Sequence, residues 1–189
     1  VSIMDKGELE KQIDDLISNR AKADAIRYSM SRNISIKYDE NPAYYESFSK
    51  RIQEILELYK NSLVNDVEYL ERMQKVLNDF RDNVTTIKYP EVIKQNVHAQ
   101  AFYGVILPII LDGNVIDNQI IAEIALKISD IIAQHSKVDW SSNLEIHNKI
   151  AQDIDDLFFE YETKFNLKIA YDSIDKIIEN VKTVAIRRY

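Results

Sequence analysis

The 189-residue chain contains no cysteine, only three glycines and only three prolines. Without cysteine it can form neither a disulfide nor a thiolate zinc site, and a cytoplasmic location is the expectation. β-rich folds use Gly and Pro at their turns, and nucleotide-binding α/β folds cluster glycines where the backbone meets phosphate, so both classes are disfavoured. The sequence therefore predicts an all-α fold, a multi-helix bundle.

The sequence also lacks a long apolar run and a cluster of basic residues. Its most apolar stretch, residues 105–111, contains Pro108 and is far shorter than the roughly 20 residues that a membrane span needs, so no membrane partner is expected. The 24 Lys and Arg residues are interspersed with 31 Asp and Glu residues, giving a net charge of −7. The domain as a whole is therefore not expected to bind duplex DNA through its phosphates. Arg187 and Arg188 are interpreted as cations at a helix C-terminus.

The chain begins with Val1 rather than Met. Its N-terminus has neither the basic segment nor the small-residue cleavage motif of a secretory signal. It is therefore expected to be a segment of a longer protein, although processing would leave the same first residue.

Apolar residues spaced three or four apart predict a long helix over residues 5–30. Residues 33–40 instead alternate apolar and polar side chains, which predicts an extended linker. The predicted organisation is thus an N-terminal helical arm over residues 1–32, a linker over residues 33–40 and a helical bundle over residues 41–189.

Capping residues predict where the first helices of the bundle begin. Asn41 followed by Pro42 indicates a helix that runs to about Asn61, because Asn can cap free N–H groups and Pro suits the first helical position. Asn65 with Glu68 predicts a capping box for the next helix.

Further helices are predicted towards the C-terminus. One covers residues 91–98 and either ends there or continues to residue 110. Asp117 is predicted to cap an isoleucine-rich helix. A capping box of Ser142 with Glu145 precedes another helix, and Asp172 is predicted to cap the last.

Four aromatic residues are predicted to be structural anchors: Tyr45, Phe48, Tyr69 and Trp140. Tyr45 and Phe48 lie on an apolar helix stripe, and Tyr69 lies on a predicted helix at a spacing compatible with a core. Trp140, the only tryptophan, precedes the predicted cap Ser142, and a hydrophobic residue there can pack back on the helix that follows. An alternative for the tyrosines is a stacking platform for single-stranded nucleic acid, formed by Tyr44, Tyr45, Tyr59 and Tyr69. Packing is the preferred interpretation because their spacing suits a helical core.

No motif indicates phosphate binding or a di-iron centre. A P-loop needs two glycines five apart followed by Lys and Ser or Thr, and the three glycines cannot supply it. A di-iron bundle needs Glu three residues before His. None of the three histidines is preceded by Glu at that spacing. Surface or packing roles are therefore assigned to His98, His135 and His147.

Two further patterns are more typical of solvated helix surfaces than of a metal site or a catalytic site. The acidic residues Asp153, Asp155, Asp156 and Glu160 have no glycine-bearing loop to wrap a cation, so a solvated face is preferred over a metal site. Ser47 with Lys50, and Ser173 with Lys176, match the short Ser-x-x-Lys pattern of some acyl enzymes without its companion motifs. No catalytic residue, metal ligand or cofactor-binding residue is therefore predicted.

Four blocks of sequence, taken in order, resemble the helical C-terminal region of type I restriction enzyme R subunits, the HsdR family. They are Asn41-Pro42-Ala43-Tyr44-Tyr45-Glu46-Ser47-Phe48-Ser49-Lys50-Arg51-Ile52, Glu68-Tyr69-Leu70-Glu71, Ala101-Phe102-Tyr103 and Val138-Asp139-Trp140. The resemblance spans roughly residues 37–170. In the family, the helix after the tryptophan is richer in Arg and Lys, and its end often reads Arg-Lys-Tyr where this chain has Phe159-Glu160-Tyr161. This departure weakens a DNA-contact role for that helix.

The resemblance implies a non-catalytic docking and assembly module. A parent R subunit would carry a nuclease domain and two motor domains that use ATP and Mg to pull DNA, and this region would link the motor to the methyltransferase core. The implied partners are the modification (M) and specificity (S) subunits, with DNA reached through the parent complex. No cofactor is expected in this segment itself. The alternative function is a helical DNA-binding domain that contacts nucleic acid beside the motor.

Overall fold

A computed structural model describes residues 6–189, except for the side chains of Lys6 and Glu8. The structure is 78% helical, with eight α-helices and no strand among the described residues, which confirms the all-α prediction. The helices are α1 Lys6–Asp14, α2 Asn19–Lys37, α3 Pro42–Lys60, α4 Asp66–Arg81, α5 Val97–Ile110, α6 Asn118–His135, α7 Leu144–Phe165 and α8 Tyr171–Arg188. Within this range, no helix has the length and apolarity that crossing a membrane requires.

The chain forms two compact units. Unit 1 comprises Val1–Tyr38 and Tyr44–Lys88, and unit 2 comprises Asp39–Ala43 and Tyr89–Tyr189. The short stretch Asp39–Ala43, here called the inserted segment, thus belongs to unit 2 although both of its flanking segments belong to unit 1.

Unit 1 is built mainly on the packing of α2 against α4, with α1 against α2. Its core contains large aromatic and sulfur-containing side chains, because the apolar stripes of α2, α3 and α4 carry them at helical spacing. The buried members include Met30, Tyr45, Phe48, Tyr69, Met73 and Phe80.

Unit 2 is built on α5, which packs against α6 and α8, while α7 packs against α6 and α8. Its buried core is dominated by isoleucine, with twelve among 26 residues. The inserted segment approaches α5 closely at Gly104, where an added Cβ would lie 2.5 Å from the Cβ of Ala43. Only glycine therefore fits this position without a shift in one of the two backbones.

Two predictions for the N-terminal region are wrong. The helix predicted over residues 5–30 is broken, since α1 ends at Asp14 and α2 starts after Ser18, whose hydroxyl accepts from the Ala21 N–H at 3.1 Å. Residue 5 lies outside the described residues. The linker predicted over residues 33–40 is not extended, because α2 continues to Lys37 and a 3₁₀ turn covers Tyr38–Glu40.

The physical reason is burial. Ile34 lies four residues after Met30, so the two side chains share one helical face, and both are buried in the core of unit 1. That stripe also explains why α2 is part of a packed unit rather than a separate arm over residues 1–32. The single bundle predicted over residues 41–189 likewise differs from the two units in the structure.

The capping predictions have mixed outcomes. The structure confirms the capping box of Asn65 with Glu68 and the cap at Asp117. The predictions at Ser142 and Asp172 are wrong, because Asn143 caps α7 and α8 begins at Tyr171 without a side-chain cap. Asn143 can accept from two N–H groups of the first turn, whereas the Ser142 hydroxyl donates to the Asp139 carbonyl oxygen at 3.2 Å.

The helix predicted from residue 91 also starts later than expected. Glu91–Ile93 forms one 3₁₀ turn, and Asn96 then caps α5, which continues to Ile110. Pro108 is accommodated within α5 near its C-terminal end.

Candidate interaction surfaces

The four predicted anchor residues all lie in packed cores. Phe48 and Tyr69 are fully buried in unit 1, Tyr45 is 8% exposed there, and Trp140 is 4% exposed in unit 2. The Tyr69 hydroxyl donates to Asp24 Oδ1 at 3.0 Å, and burial together with this hydrogen bond raises the pKa of Tyr69 to about 12. How much stability each anchor supplies stays a prediction.

Trp140 lies in the 3₁₀ turn Trp140–Ser142 between α6 and α7. Its ring centroid is 5.8 Å from that of His147, in the first turns of α7, so the indole packs against the helix that follows. The residue before it, Asp139, has a φ of 60°. Aspartate tolerates this left-handed conformation better than most residues because its short polar side chain can hydrogen-bond locally.

The tyrosines do not form an open stacking platform. Tyr45 and Tyr69 are buried, and the Tyr59 ring stacks on Tyr69 with centroids 4.3 Å apart and planes 12° apart. The Tyr44 hydroxyl lies 3.4 Å from Asn83 Oδ1. These rings therefore pack with one another or with the core, in agreement with the packing interpretation.

The histidines and the Ser-x-x-Lys serines are dispersed. No group of three His, Asp or Glu residues in the described part of the chain is placed to hold a metal ion. His135 Nε2 contacts Asp153 Oδ2 at 2.7 Å. The Ser47 hydroxyl donates to the Tyr44 carbonyl oxygen at 2.6 Å, an ordinary helical bond.

Arg188 joins three parts of unit 2. Its Nη1 donates to the Glu40 carbonyl oxygen at 2.8 Å in the inserted segment, and its Nη2 donates to the Val97 carbonyl oxygen at 3.0 Å in α5. Its Nε donates to His98 Nδ1 at 3.2 Å. Desolvation, followed by the charge of Arg188, lowers the pKa of His98 below its usual value. Arg188 is thus a positioning residue of the fold as well as a cation at the end of α8.

A shallow, open groove of about 430 Å³ lies between α6 and α7 of unit 2. Its apolar lining comes from Ile131 of α6 and Leu157 of α7. Four carboxylates line it as well: Asp130 on α6, and Asp153, Asp156 and Glu160 on α7. This feature is called the acidic groove.

The four carboxylates are only partly neutralised. Glu160 lies 3.7 Å from Lys127 Nζ, the one lysine that lines the groove. Asp153 contacts His135. Asp130 and Asp156 make no ion pair with any other residue that the structure describes, and both are exposed. The groove therefore presents net negative charge above an apolar floor.

Phe159 lies on α7 two residues after Leu157 and is not part of the groove lining. Its side chain is 72% exposed, and Asp156 lies three residues before it, one helical turn away. A large exposed aromatic residue next to unpaired carboxylates combines apolar and negative character on one helix face.

Unit 1 carries a stretch of α2, residues 25–37 and here called the basic face, whose exposed residues Tyr28, Arg32 and Ile36 share one side of the helix at intervals of four residues. Between residues 25 and 38 the sequence has two arginines and one lysine and no Asp or Glu. Tyr28 is 65% exposed and Ile36 is 69% exposed, with Arg32 between them also exposed. The guanidinium carbon of Arg27 lies 4.2 Å from the Tyr28 ring centroid, a cation–π contact.

Unit 1 also has a broad open depression at the turn between α3 and α4, with a volume of about 920 Å³. It is larger than the acidic groove, but its basic residues Arg20 and Lys60 are balanced by Asp66 and Glu68. Leu63 in this turn is 68% exposed. The depression therefore has no charge preference that would select a partner.

Sequence reasoning missed the acidic groove. The helical spacing of Asp153, Asp156 and Glu160 placed them on one face of one helix, and that part was visible in the sequence. Asp130 and Ile131 come from α6, and nothing in the sequence indicated that their face lies against this part of α7. The basic face was missed because an extended linker was predicted over half of it.

Comparison with known protein families identifies a family to which the chain is similar. The family model described as "Type I restriction enzyme HindI endonuclease subunit-like, C-terminal" matches residues 1–186. No curated protein matches the chain significantly, and no solved structure does either.

Proposed function

Because the chain belongs to the C-terminal family of HindI-like type I restriction enzyme endonuclease subunits, we propose that it is a non-catalytic helical docking and assembly module of an R subunit. In this proposal it links an ATP-dependent, DNA-translocating motor to the methyltransferase core. The parent protein is a type I site-specific deoxyribonuclease that uses ATP and Mg, and the complex works in the cytoplasm. The partners are the M and S subunits.

The observation that carries the proposal is the extent of the family match, which covers residues 1–186 of 189. The surface of unit 2 supports it, because an apolar-floored groove and an exposed Phe159 are features of protein interfaces. The net charge of −7 favours contact with protein rather than with the phosphate backbone.

A binding measurement tests the proposal. The purified chain is immobilised, and the complex of M and S subunits is passed over it at increasing concentration. Specific, saturable retention is expected, while a folded helical protein of similar negative charge retains nothing. If the chain keeps its helical circular dichroism and still retains none of the complex, the docking function is wrong.

A second function, nucleic-acid binding beside the motor, is favoured by the basic face of α2. Arg32 is exposed there and makes no ion pair with any described residue, whereas Arg27 pairs with Asp24 at 3.4 Å; Tyr28 offers an exposed ring for stacking. An electrophoretic shift of duplex or single-stranded DNA at low salt should then weaken in Arg32→Glu and with added salt. No shift at micromolar protein would eliminate this function.

A further inference from the structure

We propose that the acidic groove of unit 2 binds a basic amphipathic helix of a partner subunit. This inference rests on the proposed docking function and names the surface that performs it. The acidic groove, lined by Asp130, Ile131, Asp153, Asp156, Leu157 and Glu160, lies within one unit, so the packing of α6 against α7 defines its shape.

The chemistry of the groove selects its occupant. Ile131 and Leu157 form an apolar floor, and a ligand gains free energy there by burying an apolar side chain. Four carboxylates against the single Lys127 surround that floor. A ligand that satisfies both features carries an apolar stripe flanked by Lys or Arg. A nucleic-acid strand would instead be repelled, because its phosphates and the carboxylates of the groove are both negative.

The spacing of the carboxylates suits a helix. Asp153, Asp156 and Glu160 follow one another at three and four residues along α7. Seven residues of α-helix span about 10 Å, so a partner helix lying along α7 would place cations at matching intervals over about two turns. In helix-in-groove binding of this kind, the bound helix contacts the groove through residues i, i+3, i+4 and i+7.

Two carboxylates are free to pair with the partner. Asp130 on α6 and Asp156 on α7 make no ion pair within the described part of the chain, and both are exposed. They stand on the two helices that form the groove. Charges at such a rim mainly control the association rate and its salt dependence.

The test uses charge reversal with a matched control on the same helix. Asp156→Lys and the double variant Asp130→Lys with Asp156→Lys change the groove. Asp155→Lys changes an adjacent, equally exposed carboxylate of α7 that does not line the groove. Asp155→Lys and Asp156→Lys alter the net charge by the same amount, so long-range electrostatics cannot separate them. All variants should keep the wild-type thermal midpoint because Asp130, Asp155 and Asp156 are all exposed.

Two probes are measured at low and high salt. The first is the M and S subunit complex, and the second is a synthetic 14-residue amphipathic helix of Leu and Lys, with a Leu and Glu peptide as its control. For both probes, Asp156→Lys should bind at least about fivefold more weakly than wild type and the double variant at least about tenfold, whereas Asp155→Lys, with the same charge change as Asp156→Lys, should change affinity less than threefold. Added salt should weaken wild-type binding more than binding by the double variant.

The outcomes separate the groove from the docking function. If the complex binds all variants equally, the groove assignment is wrong while docking stands. If the Leu and Lys peptide binds with the predicted variant pattern but the complex does not bind, the groove chemistry stands and the docking function is wrong. If neither probe binds, both fail. Self-association of the chain at micromolar concentration that Asp156→Lys abolishes, with complex binding unchanged, would make the occupant a second copy and overturn the proposal.

Discussion

The two units differ in both charge and core. Unit 1 has 14 Lys and Arg against 14 Asp and Glu in the sequence, whereas unit 2 has 10 against 17, so the net charge of −7 belongs to unit 2 alone. Four of the 16 buried core residues of unit 1 are aromatic. The core of unit 2 has twelve isoleucines and five aromatic residues among 26, against five isoleucines among the 16 of unit 1. Charge-driven recognition is therefore expected in unit 2, whereas large aromatic truncations are expected to be costly in the core of either unit.

The largest effect is expected from Phe48→Ala in unit 1. Phe48 is fully buried, and its ring centroid lies 5.1 Å from that of Phe80 in an edge-on contact. Truncating a core phenylalanine typically costs about 3–5 kcal/mol, because a cavity remains and dispersion contacts are lost. Hydrogen exchange resolved along the chain should show lost protection in α2, α3 and α4 with α5 to α8 still protected.

The matched truncation in unit 2 is Phe158→Ala, which should also cost about 3–5 kcal/mol but remove protection from α5 to α8, whereas Ile128→Val, which loses one methyl group, should cost only about 0.5–1.5 kcal/mol. If Phe48→Ala removed protection equally from both units, the two units would unfold together rather than separately. Trp140 fluorescence offers an independent check, because the only tryptophan of the chain lies in unit 2.

The second largest effect is expected from Trp140→Ala in unit 2. The indole is buried in the turn before α7, and its removal should cost about 3 kcal/mol, the lower end for large aromatic truncations. Thermal unfolding followed by far-UV circular dichroism should show a lower midpoint. Binding to the M and S complex per folded molecule should stay unchanged. Intact stability with lost binding would instead make Trp140 an interface residue.

Sequence reasoning identified what local patterns determine. The helical stripes, the Asn65 and Glu68 capping box and the burial preference of Phe48 and Tyr69 all depend on residues within one or two turns of each other. It failed where two local patterns compete. Residues 33–40 alternate in polarity as a strand would, yet Ile34 also continues the helical stripe of Met30. Because α2 packs against α4, the helical pattern is the one that forms.

Long-range pairings were not predictable from one sequence. The inserted segment belongs to unit 2 through Arg188, which is 148 residues from Glu40 along the chain. The acidic groove likewise combines Asp130 with Asp156, whose helices are separated by the Trp140 turn. No periodicity encodes such contacts, so they required the structure.

A smaller effect is expected from Gly104→Ala, which tests how the inserted segment is held in unit 2. The new Cβ would lie 2.5 Å from the Ala43 Cβ, so a backbone must move, and overpacking of this kind typically costs about 1–3 kcal/mol. Chemical denaturation followed by Trp140 fluorescence measures the loss. The double variant Ala43→Gly with Gly104→Ala should recover most of the lost unfolding free energy, because the clash is removed. The recovery should fall short by up to about 1 kcal/mol, the cost of placing glycine in a helix.

Gly113→Ala is the matched control for this prediction. Its φ is +79°, but an added Cβ there meets nothing within 4 Å, so only backbone strain of about 1–2 kcal/mol is expected. Ala43→Gly should not rescue Gly113→Ala. Rescue of both glycine variants to the same extent would show that the Ala43 contact is not the cause.

The smallest effect is expected from Tyr69→Phe in unit 1, and it depends on pH. The Tyr69 hydroxyl donates to Asp24, and its loss at pH 7 should cost about 1 kcal/mol, typical of one hydrogen bond.

Burial raises the pKa of Tyr69 from 10.0 to about 12. The folded state therefore holds the phenolic proton more tightly than the unfolded state. This stabilisation is complete below pH 10 and is lost as the pH rises through 12. The difference in unfolding free energy between wild type and Tyr69→Phe, measured by denaturant titration at several pH values, should thus shrink between pH 10 and 12. A constant difference across that window would mean that Tyr69 ionises as readily in the folded unit as in the unfolded chain, and that its bond to Asp24 does not retain the proton.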